Sequence, residues 1–169
     1  RRAARIKPRF NPDVNWYWIC DEGRYSYKAL NRDRLGKILK LKPSLSELSW
    51  DAALTEVSTR VAGLLEDHGA GSLVVAASGA LSNEDWRAFK KLFVDAWKVV
   101  QFVFDPAPEQ VGEEDSLLRR REKAPNLKGG EALGFGTQIK SVPWDSVASS
   151  IEAGRIKGLF IVDRDLTKV

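Results

Sequence analysis

Ser72-Leu73-Val74-Val75-Ala76-Ala77 is a continuous apolar run rich in β-branched residues, closed by Ser78-Gly79. Side chains alternate across a strand, so a strand with no polar side must be covered on both faces. A parallel sheet flanked by helices provides that cover. Ser78-Gly79-Ala80-Leu81 then turns the chain, and Ser82 is placed to cap a helix with Asp85 three residues on, close to a capping box. Trp86, Phe89, Leu92, Phe93 and Trp97 form the buried side of that helix, and Val99 to Phe104 reads as a second buried strand. A strand–helix–strand unit of this kind begins a doubly wound α/β domain.

The flanking sequence extends the pattern. Pro43 to Ser49 reads as a loop, with Ser49 as N-cap of a helix. Trp50, Leu54, Val57, Val61, Leu64 and Leu65 recur at spacings of three and four, and Gly69 with Gly71 ends the helix through a left-handed cap. His68 sits in its last turn, where a capping histidine explains it better than a metal ligand. A third helix starts at Pro143, is marked by Trp144, Val147 and Ile151 at spacings of three and four, and ends at Gly154. Gly158 to Val162 supplies a third buried strand, closed by Asp163. The expected fold is α/β, an open, mostly parallel, doubly wound (Rossmann-like) sheet with helices on both faces.

Open sheets of this type place ligands at the carboxyl ends of their strands. Ser78, Gly79, Ser82 and Asn83 lie at such an end, where backbone amides and a helix start can cradle a phosphate. A connecting turn with an N-cap accounts for the same residues, and no GxGxxG fingerprint is present. Asp105 to Thr137 is the least regular stretch. Its acids Glu109, Glu113, Glu114 and Asp115 precede Arg119-Arg120-Arg121, which suits a solvated connection with a short helix around Asp115 to Glu122. Gly129, Gly130, Gly134 and Gly136 read as a surface loop.

The chain has 169 residues, 43% hydrophobic and 30% charged, a composition that suits a globular protein with a sizeable core. No apolar run approaches the roughly 20 residues of a membrane helix, so no direct membrane insertion is expected. There is no methionine, and the chain reads as a piece of something longer. With one histidine and one cysteine, no Ser-His-Asp set, Walker loop, thiol dyad or His pair at metal spacing can be assembled. No activity is expected of this chain alone.

Charge is unevenly spread. Residues 1–40 hold 11 Lys+Arg against 4 Asp+Glu, a net of +7 within a chain of +4. Aromatics interleave with these bases at Phe10, Trp16, Tyr17, Trp18, Tyr25 and Tyr27. Three of them are consecutive and must point in different directions, so they do not build a stacking platform, and nucleic acid is not expected as a partner. The single cysteine, Cys20, stands in Trp18-Ile19-Cys20-Asp21-Glu22-Gly23-Arg24-Tyr25. It can neither close an intramolecular disulfide nor hold a metal alone, since zinc or an iron–sulfur cluster needs about four ligands. It is either an inert thiol or one leg of a site whose other legs lie elsewhere.

The stretch from Arg5 through Leu35 resembles the G-subunit family of respiratory NADH-quinone oxidoreductases (complex I), at the end of its molybdopterin-oxidoreductase-type iron–sulfur domain. The similarity continues through Ser49-Trp50-Asp51-Ala52-Ala53-Leu54, Ser82-Asn83-Glu84-Asp85, Lys123-Ala124-Pro125-Asn126 with Gly129-Gly130, and Ile151 to Leu159. The resemblance implies that residues 1–42 are a small irregular remnant of a [4Fe-4S] domain and 43–169 a truncated α/β domain. It implies Cys20 as fourth cluster ligand, Arg24 as a nearby charge offsetting the thiolates, and Gly23 as the residue that folds the turn back. Molybdopterin relatives generally carry Lys two residues after that cysteine, where this chain has Glu22, so a molybdopterin is not expected. Other subunits of a respiratory NADH dehydrogenase are the implied partners, on the cytoplasmic side of the membrane and peripheral to it through the complex. A molybdopterin enzyme such as a formate dehydrogenase, whose guanine-nucleotide pterin the resemblance would place near Ser78 to Asn83 and around Gly129 and Gly130, or a non-catalytic docking module, are the alternatives.

Overall fold

A computed structural model describes residues 2–104, 111–116 and 121–164. The chain forms two compact units, Arg1–Thr55 and Glu56–Val169.

The first unit is built on short hydrogen-bonded pieces rather than on a core. Every described residue of it is exposed or half-buried. Helix α1 (Asp21–Tyr25) runs into a 3₁₀ turn over Ser26–Asn31. The Asn31 carboxamide pairs with the backbone of Ala3 in both directions, accepting from its N–H at 2.9 Å and donating to its carbonyl at 2.8 Å. That clamp ties the leading segment to the helix. Asn11 and Trp16 exchange backbone hydrogen bonds of 3.1 and 2.7 Å, closing a tight loop. Trp16 is held in it at φ 50°, a conformation that costs a bulky residue on the order of 1–3 kcal/mol.

Strands β1 (Ile38–Lys40) and β2 (Ser46–Leu48) pair antiparallel, Ile38 opposite Leu48, with a cis Lys42–Pro43 bond between them. The loop expected over Pro43 to Ser49 is therefore partly a strand. Three residues of Ser-Glu-Leu carry too little alternation to announce one. Ser49 does cap the next helix, its Oγ accepting from the Ala52 N–H at 3.3 Å. That helix, α2 (Trp50–His68), starts in the first unit and ends in the second. Its expected stripe is only half used. Val61, Leu64 and Leu65 pack on the core, whereas Trp50, Leu54 and Val57 are exposed. Gly69 follows at φ 74°, ψ 169°, an extended conformation that is open to glycine and not the helical left-handed cap.

The second unit is the expected α/β layer structure. β3 (Leu73–Ala77) is buried along its whole length. It lies between β4 (Gln101–Val103) and β5 (Gly158–Val162) in a parallel sheet of order β4-β3-β5. α3 (Asn83–Phe89) follows β3 and continues as a π-helical segment over Lys90–Ala96. Leu92, expected on the buried side, is exposed, because it falls off the stripe that Trp86, Phe89 and Phe93 form at i, i+3 and i+7. On one face of β3, Leu73, Val75 and Ala77 pack with Trp86, Phe89 and Phe93. On the other, Val74 and Ala76 pack with Val147 of α5 (Trp144–Glu152) and with Ile156. Helices cover both faces, and β3 is satisfied as an interior strand only because they do.

Between β4 and α5 lies α4 (Leu127–Ala132), where a glycine loop was expected. Phe135 follows it, fully buried, flanked by Gly134 at φ 100° and Gly136 at φ 87°. Those two backbone angles turn the chain so that one ring meets Trp86, Phe89, Phe102 and Phe104 at centroid distances of 5.0 to 5.9 Å. The helix expected around Asp115 to Glu122 falls partly outside the described residues.

Candidate functional site

Cys20 is exposed and serves as the N-cap of α1. Its Sγ accepts a hydrogen bond from the Gly23 N–H at 3.4 Å, and its carbonyl accepts from the Arg24 N–H at 2.9 Å. The Cys-Asp-Glu-Gly-Arg segment is thus the first turn of a right-handed helix. Gly23 has no positive φ, and a Cβ on it would stand 3.6 Å from Sγ, an ordinary contact. The folding-back role expected of Gly23 does not arise; the helix does the turning. What the segment supplies is a surface sulfur bearing one N–H···S bond, the kind of bond that tunes thiolate ligands of clusters.

Among the described residues no group of three or more His, Cys, Asp or Glu side chains stands together as a metal site. Cys20 suits one corner of a [4Fe-4S] cluster and cannot suit more. His68 ends α2, far along the chain, as its last-turn residue.

The other candidates converge at the carboxyl end of β3. The sheet order reverses here: β4 and β5 lie on opposite sides of β3, and the helices leading into them lie on opposite faces. This is the topological switch point at which open sheets bind ligands. Of Ser78, Gly79, Ser82, Asn83, Gly129 and Gly130, three (Gly79, Asn83 and Gly129) are tied together through one residue, Asn126. Its N–H donates to the Gly79 carbonyl at 2.9 Å, and its Nδ2 donates to the Leu81 carbonyl at 2.8 Å and to Asn83 Oδ1 at 3.0 Å. Its carbonyl accepts from Trp86 Nε1 at 3.2 Å and from the Gly129 N–H at 3.2 Å.

Several of the amides suited to a phosphate are already engaged. The Ser78 N–H donates to the Val162 carbonyl, the Ala80 N–H to Ser78 Oγ, and the Leu81 N–H to the Ser78 carbonyl. At the helix start the capping box is complete: Asp85 N–H donates to Ser82 Oγ at 3.1 Å, and Ser82 N–H donates to Asp85 Oδ2 at 3.2 Å. A carboxylate already sits where an anion would dock. The glycines are there for contact. A Cβ on Gly79 would lie 2.7 Å from the Ala124 Cβ, and one on Gly129 would collide with Asn83 Oδ1. A groove of about 450 Å³ opens nearby, walled by Leu81, Phe89, Phe93, Phe160 and Val162. Among the described residues its lining includes two acids, Asp85 and Asp163, and no cation. That chemistry repels phosphates.

Asn126 does not stand out as a functional residue in the sequence, although it occupies the Pro125-Asn126 step before Gly129-Gly130. A polar residue between a proline and paired glycines is the available signal.

No family model matches the chain. The NADH-quinone oxidoreductase G subunit of Rickettsia conorii is 32% identical over 82 residues, covering 48% of this chain and 12% of that protein. The NADH-ubiquinone oxidoreductase 75 kDa subunit of Reclinomonas americana is 32% identical over 89 residues, covering 52% and 12%. About half of this chain is homologous to the G subunit of NADH-quinone oxidoreductase. A putative formate dehydrogenase of Bacillus subtilis, YrhE, is 28% identical over 94 residues, covering 54% and 10%. The chain spans about an eighth of the length of these complex I relatives. Both kinds of relative carry the names of oxidoreductases, and the open parallel sheet agrees with that relationship. No helix among the described residues is long and apolar enough to cross a membrane.

Proposed function

We propose that this chain is part of an electron-transfer subunit of an NADH-quinone oxidoreductase. In this reading residues 1–42 end an iron–sulfur domain, Cys20 is the fourth thiolate of a [4Fe-4S] centre, and Arg24 offsets its negative charge. Residues 43–169 are the supporting α/β domain. The cluster, when bound, supplies one-electron transfer. This chain's residues hold one of its corners, and the Gly23 N–H donates to the sulfur that forms it. The partners are the other subunits of a respiratory NADH dehydrogenase, with the assembly on the inner face of the membrane and peripheral to it.

The single observation that carries the reading is the exposed Cys20 sulfur in a chain related to the G subunit of complex I. A sulfur sealed in hydrocarbon would have ended it. The test is Cys20→Ala in the full-length parent, read by iron content and low-temperature EPR. Loss or conversion of one [4Fe-4S] signal is expected. An unchanged iron content and spectrum would leave a docking scaffold in its place.

The formate dehydrogenase relative supports a second reading, a piece of a molybdopterin enzyme with its nucleotide near Ser78, Gly79, Ser82, Asn83, Gly129 and Gly130. Glu22, the engaged amides and the acidic lining of the groove weigh against it. Molybdenum or tungsten analysis of the parent separates the two.

A further inference from the structure

The first unit displays its aromatic rings instead of burying them. Trp16, Tyr17 and Trp18 are 60%, 67% and 83% exposed, while no described residue of the unit is buried. Their placement is nonetheless ordered by hydrogen bonds. The Asn11 carbonyl accepts from the N–H groups of Val14, Asn15 and Trp16, and Asn11 Oδ1 accepts from the Asp13 N–H. Trp18 and Asn15 are joined twice, by Trp18 N–H to the Asn15 carbonyl at 2.7 Å and by Asn15 Nδ2 to the Trp18 carbonyl at 2.9 Å. Phe10 packs beneath, 4.6 Å from the Tyr17 ring and 6.0 Å from that of Trp16. A strained Trp16 kept in place by this network is a pre-organised anchor, the property that lets a few aromatic residues dominate an interface.

The segment leading into the loop is basic on one side. Arg5, Lys7 and Arg9 are exposed, and Ile6 and Pro8 between them are half-buried. Rings and cations together call for a partner that is apolar at its centre and acidic at its rim. Nucleic acid suits this poorly, because the Phe10 and Tyr17 faces are occupied by each other. An anionic membrane suits it poorly as well, because Asp13 stands exposed in the loop tip beside Val14.

We infer that the Arg5–Trp18 segment is a docking surface for an acidic protein face, with Trp16, Tyr17 and Trp18 as anchors and Arg5, Lys7 and Arg9 as steering charges. The inference rests on the proposed membership of an oxidoreductase assembly only for the setting in which it is tested. It does not need the cluster.

The test uses the native assembly carrying the photo-crosslinker p-benzoylphenylalanine in place of Trp18, a ring that packs on no other aromatic among the described residues. The expected product joins this position to another polypeptide within a segment richer in Asp and Glu than in Lys and Arg. Its yield falls by roughly tenfold when Arg5→Glu, Lys7→Glu and Arg9→Glu are combined, and it falls with added salt. A product confined to the parent polypeptide itself, a crosslinked second copy, a lipid adduct, no product, or a yield indifferent to charge reversal overturns the proposal. So does charge-dependent binding of the isolated chain to phosphatidylglycerol vesicles or to oligo(dT). Iron content and EPR spectrum report on Cys20 separately, so a failure here leaves the cluster reading to be judged by its own experiment.

Discussion

The indole of Trp86 lies against Gly130 so closely that a Cβ at that position would stand 3.0 Å from Cε2. Both residues are buried, and the same indole donates to the Asn126 carbonyl and packs on the Phe89 and Phe135 rings. α3 and α4 are joined at this point. Gly130→Ala forces the ring or the helix to move and is expected to cost about 1–3 kcal/mol. Urea denaturation of the chain checks it, and an unchanged midpoint contradicts the contact.

Asn126 holds the switch-point turn through donors that a carboxylate does not have. Asn126→Asp keeps the size but sets negative oxygens against the Leu81 carbonyl and Asn83 Oδ1. A loss of about 1–3 kcal/mol is expected at neutral pH. Because a neutral carboxyl can donate once, part of the loss is expected to return as pH falls through the carboxylate range, seen by comparing denaturation midpoints with the parent chain.

The capping box at α3 is a separable contribution. Ser82→Ala removes the oxygen that accepts from the Asp85 N–H and is expected to destabilise by about 0.5–2 kcal/mol, whereas Ser82→Gly costs only a few tenths. Equal losses for the two would mean that Ser82 acts through something other than its cap.

Cys20 is open to solvent in this chain, so the isolated chain is expected to react completely with a maleimide under native conditions. Protection that disappears only in denaturant would mean the sulfur is covered.

The two units are expected to differ in resistance to local opening. The first has no buried residue among those described and carries most of the excess positive charge, while the second closes over Val74, Val75, Trp86, Phe102 and Phe135. Limited trypsin digestion is expected to cut within residues 2–42 before it cuts β3, and amide exchange is expected to rank the units in the same order.

Much of the second unit was legible in advance. The run over Leu73–Ala77, the Ser82–Asp85 cap, the helix entered from Pro143 and the strand over Gly158–Val162 all carry signals that neighbouring residues suffice to write. The hairpin of β1 and β2 was not legible, since three-residue strands offer no period. Helix α4 was hidden because paired glycines read as a break. Trp86, distant along the chain, makes Gly130 obligatory. Phe135 passed unnoticed for the same reason: its importance lies in four rings contributed by other segments. Of the candidate site, the residue types could be chosen from the sequence. Whether Ser78 presents a free amide could not, because its acceptor is the distant Val162 carbonyl.

Local pattern by itself determined that this protein has an interior parallel strand, the caps that bound its helices, and a lone cysteine behind a basic, aromatic segment. Those properties follow from side-chain alternation, helical spacing and hydrogen bonds within a few residues. Tertiary structure alone decided that the Cys20 sulfur faces solvent, that Asn126 fills the switch-point turn, and that the aromatic loop around Trp16 is displayed and not buried. These outcomes depend on what distant segments bring to a given place, and no spacing along the chain encodes that.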